Sequence, residues 1–163
     1  MGRATAAART ARVPVVYVRV AFRPGFPEIS WRNKTFSAIA AAAAMGVDDP
    51  ATQIHPAVAP HPGDIVVIKK RVSAFAGSDL EVVLRSLEAS SLVLTGIATS
   101  GVVLSTLRQA ADLDYELTVI RDGCADADAE VHHVLLDKIF PRQAAVVSTD
   151  EWAERVLGTA TSA

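Results

Sequence analysis

The stretch Leu92-Val93-Leu94-Thr95-Gly96-Ile97-Ala98-Thr99-Ser100-Gly101-Val102-Val103-Leu104-Ser105-Thr106-Leu107 decides the fold. It opens as a short, continuous apolar run and passes through a turn punctuated by Gly96 and Gly101. It then carries Val103, Leu104, Leu107, Ala110 and Ala111 at helical spacing as far as Leu113. A continuous apolar run bounded by a turn suits a strand buried on both faces, and the 3.6-residue stripe after it suits a helix folded back onto the sheet.

The same unit recurs on either side. Val15-Val16-Tyr17-Val18-Arg19-Val20, Ile65-Val66-Val67-Ile68 and Leu117-Thr118-Val119-Ile120 read as strands, and Ala144-Ala145-Val146-Val147 as a weaker one. Helical stripes lie between them. Leu80, Val83, Leu84 and Leu87 mark a helix over Asp79 to Leu87, and Val131, Val134, Leu135 and Ile139 mark one over Asp128 to Phe140, ended by Pro141. Strand alternating with helix predicts an α/β protein with a mainly parallel sheet and right-handed crossovers. Residues 2–12 read as a helix leading into the first strand, so the opening crossover helix lacks the strand that should precede it. Arg23 to Gly63 differs from the rest: it holds six of the eight prolines and one helix, about Thr35 to Met45, and is expected to run as a long ordered excursion over the surface.

The bulk composition narrows the function classes. At 163 residues, half of them hydrophobic, the chain suits a single domain over 1–163 with one sizeable core. Sixteen basic and eighteen acidic residues leave a net charge of −2, which gives no general pull towards nucleic acid or anionic membrane. The longest apolar run, Ala38 to Val47, is ten residues, about half of a membrane span. The single cysteine, Cys124, cannot form an internal disulfide, so a reducing, cytoplasmic location is expected. The arginine- and alanine-rich start mildly resembles a transit peptide, although the same arginines suit an exposed helix face.

In a parallel sheet, ligands bind beyond the carboxyl ends of the strands. That rule directs attention to residues 19–26, 69–75, 96–102 and 121–126. Lys69 follows directly on its strand and stands at the rim, either as a solvated amine or as a partly buried one able to stabilise a developing anion. The Gly96–Val103 turn offers backbone N–H groups to an anion, or is simply a tight turn with Thr99 or Ser100 capping the helix. Ser100 has no histidine close in sequence to serve as a base. Cys124, at the end of a strand, is either a small buried hydrophobe or a thiol activated by a cation. Asp122, Asp126 and Asp128 read as turn and cap residues. His55 and His61 have no partners at metal spacing, and His132 and His133 point about 100° apart on a helix, so no metal site is expected. No phosphate-binding glycine loop is present. Trp31 and Trp152 suit local packing or an interface.

Four blocks together resemble the isochorismatase-like superfamily. They are Pro14-Val15-Val16-Tyr17-Val18-Arg19, Lys69-Lys70-Arg71-Val72-Ser73-Ala74-Phe75, Gly96 to Thr106, and Asp122-Gly123-Cys124-Ala125, spread from about Arg9 to Trp152. The resemblance implies a three-layer α/β/α sandwich, Rossmann-like, with a six-stranded parallel sheet whose first, central strand is absent from this sequence. It implies hydrolysis by an Asp, a Lys and a Cys. The lysine matches Lys69, but the cysteine position matches Val102, and the aspartate, at the end of the absent strand, has no match. It also implies a cis peptide at Ile97–Ala98, oxyanion donors at the Ala98 and Val102 N–H groups, and a pocket that takes in Phe75, Thr99, Ser100 and Gly101.

No cofactor is implied. The expected partners are a small-molecule substrate or ligand and further copies of the chain, with neither nucleic acid nor membrane. Valine cannot be acylated, and Cys124 lies 22 residues further on. The expected function is therefore an isochorismatase-family hydrolase of a small carbonyl or enol-ether metabolite, impaired or inactive as the chain stands, or else a non-catalytic protein that keeps the fold. For the absent strand three arrangements are open: a true start further upstream, closure of the sheet across the gap, or a strand donated by a partner. The first is favoured.

Overall fold

A computed structural model describes the backbone of residues 1–160 and the side chains of residues 1–158. Five strands form: β1 (Val16–Val20), β2 (Ile65–Lys69), β3 (Ser91–Ile97), β4 (Glu116–Ala125) and β5 (Ala145–Val147). The helices are α1 (Gly2–Thr10), α2 (Lys34–Ala41), α3 (Leu80–Ser86), α4 (Leu104–Asp112), α5 (Ala129–Val134) and α6 (Thr149–Ala160). A π-helical turn, Thr99–Val103, runs straight into α4, and α5 continues through a second one, Leu135–Ile139.

Every ladder is parallel, but there are two sheets. β1 pairs with β2, with Val16 opposite Ile65 and Val20 opposite Lys69. β4 pairs on one side with β3, Ser91 opposite Glu116, and on the other with β5, Thr118 opposite Ala145. β1 and β3 do not pair, so the sheet has not closed across the expected gap. What joins the halves is apolar packing. Val16 and Val18 of β1, Val67 of β2, and Leu92 and Leu94 of β3 all pack into one cluster with Leu107 and Ala110 of α4, Val119 of β4 and Phe140. On the opposite layer Ala4, Ala7 and Ala8 of α1 meet Ile120, Val147 and Trp152. Alanines at i, i+3 and i+4 give α1 one flat face.

The strands are not uniformly buried on both faces, as their composition predicts. β4 is: Leu117 and Val119 enter one layer and Ile120 the other. On β3 only alternate residues are covered, and Val93 and Ile97 remain 38% and 68% exposed. The α1/α6 layer sits over β4 and β5, which leaves that face of β3 open.

Two further differences have local causes. The alanine run is helical only to Ala41, and Ala43 and Met45 take positive φ (48° and 58°). Phe36 is the sole side chain that α2 buries, and alanines alone offer too little apolar surface to extend a marginal helix. The excursion is also better anchored than a surface loop. Phe22 is fully buried against Phe36, with ring centroids 5.8 Å apart. Arg19, Lys70 and Arg71, at the strand ends, donate to the carbonyls of Val47, Ala21 and Glu28. The closing helix α6 starts from a capping box: Ser148 N donates to Glu151 Oε2 at 2.7 Å and Glu151 N to Ser148 Oγ at 3.2 Å.

Amide hydrogen exchange tests this arrangement. β4, paired on both sides, should hold the slowest-exchanging amides, with β1 and β3 losing protection much earlier through their single ladders. Equal protection of β1, β3 and β4 would mean that the sheet is continuous in solution.

Candidate active site

Lys69 ends β2, opposite Val20, and is only 7% exposed. Its Nζ donates to Arg71 O at 2.7 Å and to Val72 O at 3.0 Å. Among the described residues it makes no ion pair, and burial alone lowers its pKa from 10.5 to about 8. The loop after it is tied to α4: Ser73 Oγ donates to Gln109 Oε1 at 2.7 Å, and the buried Ala74 N–H donates to Thr106 Oγ1 at 2.9 Å. These bonds fix the Lys69 loop to the helix that grows out of the β3 turn.

That turn begins at the Ile97–Ala98 peptide, which is cis. Ala98 O accepts from the N–H groups of Gly101, at 3.1 Å, and Val103, at 3.3 Å. Thr99 is fully buried, its hydroxyl 2.9 Å from Nδ1 of His132, and the exposed Ser100 donates its N–H to Asp126 Oδ2 at 2.6 Å. Val102 is half-buried in the π-helical turn that follows β3, where a Cβ on Gly96 would stand 3.9 Å from its Cγ1. Gly96 itself needs its freedom here, with φ at 148°.

Other sequence candidates fall elsewhere. Ile97 points its side chain to solvent. Phe75 lies in the main apolar cluster, its ring 6.2 Å from Tyr115, so it serves packing rather than the lining of an open pocket. Cys124 sits in register with Gly96, but it is buried and its thiol is pushed up to about 11, chiefly by desolvation, so it stays protonated at neutral pH. Trp152 is buried and Trp31 is 80% exposed. Asp122 caps α6 through the Thr149 N–H, and His55 caps its own turn through the Ala57 N–H. Among the described residues no cluster of three or more His, Cys, Asp or Glu could hold a metal, and no helix is long and apolar enough to cross a membrane. Two shallow surface depressions, of about 260 and 390 Å³, share Tyr115. They lie at the amino ends of β3 and β4, away from this chemistry.

Thr106, Gln109, Asp126 and His132 are the site neighbours that sequence reasoning does not single out as such. Thr106 stands in the quoted block. The other three reach across from separate elements, and spacing along the chain carries no signal for that.

The chain belongs to the isochorismatase family: the isochorismatase domain pattern matches residues 1–151. It is similar to the uncharacterized isochorismatase family protein YecD of Escherichia coli O157:H7, with 42% identity over 88 residues, 54% of this chain and 47% of that one. It is also similar to the ureidoacrylate amidohydrolase RutB of Pseudomonas syringae pv. syringae, with 35% identity over 144 residues, 80% of this chain and 58% of that one. The chain thus spans about half the length of these curated relatives. Among solved structures, a cysteine hydrolase from Pseudomonas syringae pv. phaseolicola superposes with a TM-score of 0.89 at 24% identity, covering 96% of this chain and 78% of that one. An isochorismatase family protein from Burkholderia thailandensis gives 0.81 at 28% identity, covering 96% and 80%.

The buried amine sets a pH signature. Unfolded Lys69 keeps its proton to about pH 10.5, whereas folded Lys69 releases it near pH 8. The unfolded state therefore binds the extra proton between those values, and stability rises with pH across that window. The gain is about 3 kcal/mol at most. Lys69→Met lacks it, so urea unfolding of wild type and variant from pH 7 to 10.5 should show the wild type gaining on the variant as pH rises. A constant difference would mean that the amine is hydrated.

Proposed function

We propose that this chain is a hydrolase-lineage protein whose 163 residues keep the anion-stabilising part of a carbonyl-cleaving site without its nucleophile or its base. The observation that carries this reading is the buried Lys69 amine, which has no ion-pair partner among the described residues, in a chain that has valine at position 102. Lys69 and the N–H groups of Ala98 and Val102 would hold the oxygen on which charge develops. Valine forms no covalent intermediate, and no carboxylate among the described residues pairs with Lys69 to draw a proton from water. Turnover of small carbonyl or enol-ether metabolites is then slight or absent. Binding and oxyanion stabilisation alone retain roughly 10³–10⁴-fold over water when a serine-protease triad is removed. The amidohydrolase among the relatives favours an amide or ureido carbonyl over an enol ether.

The second reading, a non-catalytic binding or subunit protein, draws on the same retained amine and turn. In either case the chain is read as a cytoplasmic homo-oligomer. The exposed Trp31 supports self-association, and the lone reduced cysteine supports the compartment.

A panel of esters, amides, ureido acids and enol ethers tests the proposal, with Lys69→Ala alongside. The expected result is hydrolysis within about tenfold of the Lys69→Ala background, and a thermal shift with a small oxyanion that Lys69→Ala removes. Robust turnover abolished by Lys69→Ala would show a competent hydrolase and overturn the impaired reading. Absence of both turnover and thermal shift would remove the site altogether.

A further inference from the structure

The connection after β4 reaches sideways and grips the turn after β3. Asp126 takes the Ser100 N–H on Oδ2 at 2.6 Å, and its Oδ1 accepts from Asp128 N at 3.3 Å. Asp128 in turn caps α5, accepting from Glu130 N at 2.9 Å and Val131 N at 3.1 Å. One turn into α5, His132 meets the Thr99 hydroxyl. Thr99 has no exposure, so water cannot replace that partner. Two consecutive residues in the middle of the turn are therefore fixed from a single outside segment, which is itself locked by a helix cap.

These two bonds bracket the groups that matter. Ala98 precedes Thr99 and Val102 follows Ser100 by two, so fixing Thr99 and Ser100 fixes the peptide planes between the two oxyanion donors. We propose that Asp126 and His132 are positioning residues that hold the Ala98 and Val102 N–H groups converged on one point. The inference rests on the reading of that turn as an oxyanion site. The choice of an acid for one of these roles is informative. A carboxylate at the start of the helical run 99–112 satisfies an orphan N–H, and it accepts from Ser100 strongly enough to hold its own pKa below the usual carboxylate range. Yet its charge opposes any anion bound beside it. Position and field therefore predict opposite effects of removing it.

Val102→Cys, made in the full chain, turns the donors into a readable thiol. Iodoacetamide labelling from pH 5 to 10 with peptide mass spectrometry gives its pKa, and the buried Cys124 serves as an unreactive internal control. Converged donors should hold that thiol below the ordinary value of about 8.5. Adding Asp126→Ala or His132→Ala should raise it again, and a tenfold weaker acid should label roughly three- to fourfold more slowly at pH 7. Asp126→Asn, which keeps an oxygen for the Ser100 N–H but loses the charge, should bring the pKa back to the parent value or below it, and His132→Asn, which keeps a donor or acceptor near the Nδ1 position, should restore the parent value. A fall in pKa with both Asp126→Ala and Asp126→Asn would show a field effect and overturn the proposal, as would no change in any variant.

The natural valine chain supplies an independent reading. The Ala98 and Val102 amide resonances should move in Asp126→Ala and His132→Ala and return in the Asn variants. Static amides overturn the positioning role. An ordinary thiol pKa in Val102→Cys together with responsive amides would instead overturn the oxyanion reading and leave the positioning role standing.

Discussion

Backbone hydrogen bonding stops at β1 on one side and at β3 on the other, and the apolar cluster around Leu107, Ala110, Val119 and Phe140 has to hold the two half-sheets together. Within a ladder, direction and register are set residue by residue. Across this discontinuity they are set by side-chain packing on α4 and by the two polar bonds that fasten the Lys69 loop to it, Ala74 to Thr106 and Ser73 to Gln109. Apolar burial is non-directional, so those two bonds carry a disproportionate share of the geometry. β1, with a backbone partner on one side only, keeps all of its residues half-buried.

Beside that interruption β3 ends in the cis peptide Ile97–Ala98. Strands β1 and β2 lie on one side and β3 to β5 on the other, the arrangement in which α/β sheets form their ligand crevice at the strand carboxyl ends. Lys69 ends β2 in one half, and the Ala98–Val102 turn follows β3 in the other. Lys69 has two carbonyl partners and, among the described residues, no counter-charge, so desolvation lowers its pKa to about 8 and the amine stays mostly protonated at neutral pH. Cys124 shows the same physics with the other sign: burial raises its pKa and removes its nucleophilicity. One burial effect thus lowers the pKa of an amine and raises that of a thiol that lies opposite Gly96.

Much of the fold is legible in the sequence. Short apolar runs mark all five strands, the fifth only weakly through Ala144 to Val147, although β3 and β4 extend beyond the runs that announce them. Helical stripes locate α3, α4 and α5, and the four sequence blocks point to the family. The alanine run promises a longer helix than α2 because propensity says nothing about what a helix can bury. A search for apolar periodicity passes over the Ser148–Glu151 capping box, and α6 with it. Phe75 stands in a motif that points to the pocket, yet its ring turns into the core. Asp126 has the look of a turn residue of its own segment, and its main bond goes to another.

The sequence by itself determined the α/β alternation, the parallel direction of the strands, and the lysine at 69 and valine at 102. Those are local or periodic properties, and a linear chain displays them. Only the tertiary structure decided that β1 and β3 stay unpaired, that Lys69 is buried with no carboxylate partner among the described residues, and that Asp126 and His132 bond to Ser100 and Thr99 of another segment. Each depends on which groups lose water and which distant partners they then meet. Desolvation and long-range hydrogen bonding are properties of the packed molecule, not of spacing along its chain.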